Sequence, residues 1–383
     1  MKQAASFVVL QQLSQAYLCS MIQFKSTIQS KEFSAMVPDV VASISYNRAV
    51  VSVTVSKSGD SQKIFEEYMY PDANDEIRLS DIDRLIERFA AQWLVFGLTV
   101  KVTEQNVTTD SDGGEVISGT TTDSVSTTVV SCKANVLNIT AAQFCDQHFL
   151  TLLDGPRQTA EGFLEYLYFV GSGSPSCTAY YADGTSRGFS VDVLRSTDYY
   201  MLDASPVNFL SSGKELIRYV VSAGSRRQEY QVVRNYDPDI APALLFFNSF
   251  GVQELAYCMG EHQQVASFNR KQTRIGREKV SYQVEETKRF KADTGILSFP
   301  MANWWNDVLR SKDIRVLPIQ NGGVVVGEGL PVVIVSEKSE LSNTPDELPR
   351  ITFEYEYADR NHNILDLRRE GRIFDNTFDN TFN

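Results

Sequence analysis

Reactive side chains are few and scattered along this chain. Cys258 and His262 stand four residues apart, a spacing that could set a thiol nucleophile beside an imidazole base. No orienting Asn or Asp and no oxyanion loop accompanies them, so the pair is weak as a catalytic signal. His148 falls beside Phe149 on a helical pattern, which suits a partly buried structural histidine. Asp81 and Asp83 follow Ser80 where a helix should start. The helix dipole favours acids there, so they read as a start signature and not as an acid–base dyad. The cysteines at 19, 132, 145, 177 and 258 include no CxxC spacing, and the histidines at 148, 262 and 362 are far apart, so no zinc cluster is expected. No GxSxG, HExxH, Walker A or DxDxDG pattern is present. The glycine-rich stretch 322–329 lacks the GK[ST] ending and a following helix, and reads as strands joined by turns. No catalytic, cofactor-binding or metal residue is therefore expected, and neither is an enzyme.

Four other groups could serve recognition. Trp304 and Trp305 lie in a helical pattern from Pro300 to Leu309. Exposed they would mark an interface; buried they would pack under a sheet. Tyr180, Tyr181, Tyr199 and Tyr200 sit beside turns, where they either stack on a sugar or pack internally. Arg270, Lys271, Arg274, Arg277 and Lys279 form a basic segment. It reads as contact with an anionic partner or, better with this composition, as strand-face and edge charge that suppresses aggregation. Finally, the tail repeats Phe-Asp-Asn-Thr, with Phe374, Phe378 and Phe382 evenly spaced. That repeat fits an extended arm with equivalent anchors, and equally a frayed end.

Composition narrows the class. The chain has 383 residues, enough for two to four domains, and 43% hydrophobic content, enough for packed cores. A formal net charge of −12 argues against a general nucleic-acid binder. The odd, dispersed cysteines point to reduced thiols and synthesis inside a cell. Gln11, Gln12 and Gln15 interrupt the apolar N-terminal run, so no secretion signal is expected, and no stretch is long and apolar enough for a membrane span.

The elements that must position these groups are mostly strands. Residues 1–32 are amphipathic, a helix or arm. Residues 33–139 alternate with period two and read as a β-sandwich-like module, with a helix inserted over 80–96 and an exposed hairpin over 104–131. The helix stripe is Ile82, Leu85, Ile86, Phe89 and Trp93. A second helix is expected from Thr140 to Leu153. Residues 140–235 form a second β module, 236–360 a third, and 361–383 an extended C-terminal arm. The expected fold is mainly β: tandem β-sandwich-like modules with a few inserted covering helices.

Several short stretches carry a resemblance: FLTLLDG at 149–155, NSFG at 248–251, ADTGIL at 292–297, DELPR at 346–350, YADRNHN at 357–363 and GRIFDNTFDNTFN at 371–383. Through them the chain resembles a family of uncharacterised proteins encoded by tailed phages and prophages of Bacteroidetes. The resemblance implies a structural protein of the tail tip or baseplate, resident in the virion and made in the bacterial host cytoplasm. It would contact itself, as a homo-oligomer or ring, and other tail proteins, without nucleic acid. It carries over no site residue. The alternative is a glycan-binding or adhesin-type surface module.

Overall fold

The computed structural model describes residues 22–234, 242–317, 319–320, 323–324, 327–340 and 348–359. The expected N-terminal element up to residue 21 and the C-terminal arm lie outside them. The fold is mainly β, with several sheets in sandwich-like modules and three α-helices among the described residues. The chain divides into two compact units, Met1–Phe144 and Cys145–Asn383.

In the first unit, alternation decides which face goes inward. Ala49, Val51, Val53 and Val55 of strand Arg48–Lys57 are buried, while Val50, Ser52 and Thr54 between them are not. Val51, Val53 and Val55 lie opposite Val102, Val100 and Leu98 of the neighbouring strand. β-branched side chains so paired fill a pleated surface and lose water together. The five-stranded sheet runs Lys31–Phe33, Glu115–Val130, Val95–Thr109, Arg48–Lys57, Asp60–Met69 in spatial order. A three-stranded sheet (Gln23–Phe24, Val40–Ser43, Glu76–Leu79) shares its core through Val40, Ala42, Ile77 and Leu79.

Helix α1, Ile82–Ala90, closes that core with Ile82, Ile86 and Phe89. Each such side chain contributes roughly 1.5–3 kcal/mol when removed from water. The helix is shorter than the periodicity over 80–96 predicts, because Val95 already belongs to a strand. Asp81 is the N-cap residue, in the left-handed region at φ 57°, while the Ser80 hydroxyl is bonded to Asp39 at 2.9 Å. The hairpin expected over 104–131 is present as the outer part of Val95–Thr109 and Glu115–Val130. Its turn is held by Asp110, whose Oδ1 accepts from the amides of Asp112 (2.9 Å) and Gly114 (2.6 Å).

The second unit contains two sheet systems. One is five-stranded, in the order Ser186–Ser190, Pro175–Tyr181, Leu216–Ala223, Arg226–Val232, Arg157–Thr159. It packs with a three-stranded sheet over Phe169, Leu202, Phe209 and the stacked pair Tyr219–Tyr230, whose rings are 4.6 Å apart. The other is seven-stranded: Gln253–Tyr257, Ala243–Phe247, Ile314–Leu317, Leu330–Glu340, Arg350–Tyr357, Glu278–Asp293, His262–Ile275. The second helix, α2 (Ala141–Gln147), is half the length the sequence predicts.

Helix α3, Phe299–Arg310, covers one face of the seven-stranded sheet. Ser298 caps it by accepting from the Met301 amide, and Pro300 occupies the first turn, where its missing N–H costs nothing. Trp304, Trp305 and Val308 bury against Phe246, Phe353 and Tyr355. The opposite sheet face is polar: Lys291 pairs with Glu354 at 3.5 Å and Arg289 with Glu356 at 3.7 Å. One face dry and one face wet is the ordinary state of an antiparallel sheet. A smaller core joins the two systems, where Phe163 stacks on Tyr257 at 3.5 Å and the Tyr257 hydroxyl donates to the Leu164 carbonyl at 2.7 Å.

Candidate interaction surface

The densest group of ionisable side chains is sealed inside the second unit. Arg157 lies between two carboxylates. Its Nε is 3.1 Å from Glu165 Oε2, its Nη1 is 3.1 Å from Glu254 Oε2, and its Nη2 donates to the Leu255 carbonyl. The guanidinium also lies 4.6 Å from the centre of the Trp304 ring. Glu254 further accepts from Trp304 Nε1 (3.1 Å), Thr151 Oγ1 (3.3 Å) and Asn248 Nδ2. Asn248 in turn accepts the amides of Phe250 and Val252, which shapes the turn of the NSFG stretch.

Burial pushes the Glu165 carboxyl up to about 7, against the pull of Arg157. Burial raises Glu254 as well, with Arg157 again opposing. Perturbed acids often mark active sites. Here Arg157, Glu165 and Glu254 are all buried; Glu254 is held by several donors, whereas beyond its ion pair with Arg157 the Glu165 carboxylate, like Thr159 Oγ1 and the Tyr230 hydroxyl, has no hydrogen-bond partner among the described residues. The arrangement holds strands 157–159 and 253–257 together and offers no approach for a substrate.

The other chemical candidates disperse. Cys258 is fully buried and its thiol is driven well above its ordinary range by burial. His262 is bonded through Nε2 to the Tyr355 hydroxyl at 3.0 Å and stacks on Phe290, so it is engaged with the sheet. Cys132, Cys145 and Cys177 are buried and free of disulfides. Among the described residues no cluster of three or more His, Cys, Asp or Glu could hold a metal. No helix among them is long and apolar enough to cross a membrane.

The recognition candidates are also redistributed. Trp304 and Trp305 are 2% and 0% exposed, so of the two readings the sequence left open it is the packing one that the structure takes: they are core, placed there by the apolar stripe of α3. Tyr181 is buried and its hydroxyl donates to the Phe209 carbonyl at 3.0 Å. Tyr180 is covered by the Arg218 guanidinium at 4.0 Å, and Tyr199 by Arg195 at 4.3 Å. Tyr200 stacks on Phe169 at 4.6 Å. Tyr180 and Tyr181 share one strand but turn to opposite faces, Tyr199 and Tyr200 lie elsewhere, and all four rings have partners of their own. Phe374, Phe378 and Phe382 lie outside the described residues.

What stands open is the hairpin His262–Ile275 and Glu278–Asp293. The sequence alternation from 272 to 290 predicts a strand here, but it does not reveal a protruding arm. Strand Arg350–Tyr357 pairs with the hairpin only at Arg289–Asp293. Beyond that anchor the two strands run on together for about 35 Å, at roughly 3.4 Å per residue. Every residue from Gln263 to Tyr282 is exposed. The two-residue loop Gly276-Arg277 has φ +63° at the glycine, which the twist of a tight hairpin needs.

The arm's composition is unusual for a solvent-facing element. Phe268 (53%), Ile275 (65%) and Tyr282 (64%) are largely exposed, with Val265, Val280 and Val284 beside them. Arg270, Lys271, Arg274, Arg277 and Lys279 form no ion pair among the described residues, and Arg270 lies 5.8 Å from the Phe268 ring. A two-stranded ribbon in water is marginal by itself, and exposed aromatic and β-branched groups on it are what a partner surface removes from water.

No family model matches the chain, and no curated protein does. Among solved structures it is similar to the I9–I11 tandem from titin, at 7% identity, covering 88% of this chain and 90% of that one with a TM-score of 0.15. It is similar too to the Bacillus anthracis TIE protein, at 10% identity, covering 71% of this chain and 52% of that one with a TM-score of 0.14. Likenesses this low carry no argument.

Proposed function

We propose that the chain is a structural subunit of a phage tail, in the tip or baseplate, that acts by assembling with copies of itself and with other virion proteins. The assembly role is supported above all by the arm of residues 262–288, which leaves its sheet and exposes apolar side chains on both faces, together with Arg270, Lys271, Arg274, Arg277 and Lys279. Such an arm gains stability only by adding its strands to a neighbour. The tail assignment draws on the sequence resemblance. Repetition of one modest contact around a ring would multiply it into firm attachment.

The test is the native mass of the purified full chain, alone and with the products of its neighbouring genes. A defined oligomer or complex is expected. It should be lost when residues 267–287 are replaced by Asn-Gly, which joins Ala266 directly to its register partner Lys288. A chain that stays monomeric, binds none of those proteins and retains glycans would overturn the proposal in favour of an adhesin.

A further inference from the structure

Two long strand edges, one in each unit, have no strand partner among the described residues. In the first unit, Glu115–Val130 pairs on one side with Val95–Thr109. On its other side only 128–130 meet a strand, Lys31–Phe33, so the edge over 115–126 is open. In the second unit, His262–Ile275 is the last strand of the seven-stranded sheet, and its edge over 263–275 is open as well. At roughly 3.4 Å per residue each edge runs for about 40 Å. Each presents a row of unpaired backbone donors and acceptors.

The two edges carry opposite charge. Along 263–275 stand Arg270, Lys271 and Arg274 and no acid. Along 115–126 stand Glu115 and Asp123 and no cation, and Asp110 and Asp112 add two acids in the turn before it. The strands behind them do not cancel this. Behind the basic edge, Glu286 pairs with Lys288 at 3.6 Å, Glu285 accepts from Gln283 at 2.6 Å, and Glu278 stands between Arg277 and Lys279. Behind the acidic edge, Lys101 lies opposite Ser124, and Glu115 bonds Arg48 at 2.8 Å while its side chain stays 66% exposed. The acidic edge also lacks the Lys or Pro that keeps an open edge solitary, and Thr120, Thr121 and Thr122 suit a strand inside a sheet. Asp60–Met69, the other long outer strand among the described residues, mixes its charges, with Lys63 bonded to Glu66 at 2.6 Å.

We infer that the basic edge of one copy pairs with the acidic edge of a second copy, so that strand 263–275 extends the five-stranded sheet of its neighbour. This rests on the assembly reading above and names its partner. A backbone ladder then forms along two edges of matched length, and cations meet acids. The exposed Phe268 and Ile275 of one edge leave water together with Val116 and Ile117 of the other. Two basic edges, or two acidic ones, repel each other, so the contact joins unlike surfaces. Such a head-to-tail contact makes a ring where the rotation closes and a filament where it does not.

Sedimentation velocity of the full chain over a wide concentration range tests this. Arg270→Glu with Arg274→Glu should weaken self-association by more than about tenfold, because acids then face acids. Asp112→Lys with Asp123→Lys should do the same from the other edge; it leaves Glu115 on Arg48 and Asp110 in its turn. In an equimolar mixture of the two variants, every contact between unlike copies again joins opposite signs. Assembly should return there, which misfolded variants would not achieve. A mixture that stays dissociated overturns the pairing, and so does assembly that survives reversal at 112 and 123. If the Asn-Gly replacement still abolishes assembly in that second case, the assembly role stands and only this partner falls. A parent chain that is monomeric throughout overturns the pairing too, and the assembly role then survives only if the products of the neighbouring genes bind it.

Discussion

The proton on Glu165 gives the sharpest quantitative test of the interior. Its carboxyl sits at about 7 in the fold, against an ordinary value of 4.5, because burial disfavours the charged form more than Arg157 supports it. Between those values the folded chain holds a proton that the unfolded chain has released. Stability is therefore complete below 4.5, falls as pH rises through the window, and stays lower above about 7. The change corresponds to about 3 kcal/mol of unfolding free energy. Glu165→Gln removes it, since an amide is neutral throughout. Urea denaturation at several pH values between 5 and 8 would measure the difference. Trp304 and Trp305 report on the second unit, and a Trp93→Phe background silences the first. The variant should gain about 3 kcal/mol on the parent between pH 5 and 8. The raised Glu254 is common to both chains and cancels to first order. Parallel stability curves would refute the reasoning and mean that Arg157 keeps Glu165 ionised throughout.

Two further substitutions probe how the second unit is tied together. Arg226 is buried and donates to the carbonyls of Cys145 (2.7 Å), Ser172 (2.8 Å), Val170 (2.9 Å) and Ala223 (3.1 Å). Arg226→Met should cost about 3 kcal/mol or more in thermal or urea unfolding, because it orphans several acceptors at once, and Lys should not rescue it, lacking the planar fork. Trp305 is fully buried, yet its indole N–H has no hydrogen-bond partner among the described residues. Trp305→Ala should destabilise by about 3–5 kcal/mol through the cavity it leaves. Trp305→Phe should cost much less, since it keeps most of the apolar volume and deletes an unsatisfied donor.

Much of the architecture is legible in the order of residues. Val51, Val53 and Val55 alternate with Ser52, Thr54 and Ser56, and that pattern determines both a strand and its inward face, because a pleated chain turns successive side chains to opposite sides. Ile82, Ile86 and Phe89 determine the buried stripe of α1 in the same way. Helix ends were less legible. The stripe continues to Trp93, but residues beyond Ala90 leave the helix and enter the next strand, a competition between neighbouring elements that local spacing does not record.

The polar interior and the arm depended on the third dimension. Arg157, Glu165 and Glu254 carry no motif, and Arg157 meets Glu254 across 97 positions of chain. Each looks like an ordinary surface charge until strand pairing removes its water and leaves the others as its partners. Residues 272–290 announce a strand through their alternation, and the five nearby cations look like charges on a wet sheet face. Whether that strand lies inside a sheet or runs beyond it depends on where Arg350–Tyr357 stops pairing, which is a property of two segments and not of either one. Local periodicity thus determined which side chains turn together, while tertiary pairing alone decided which of those faces and edges were left without a neighbour.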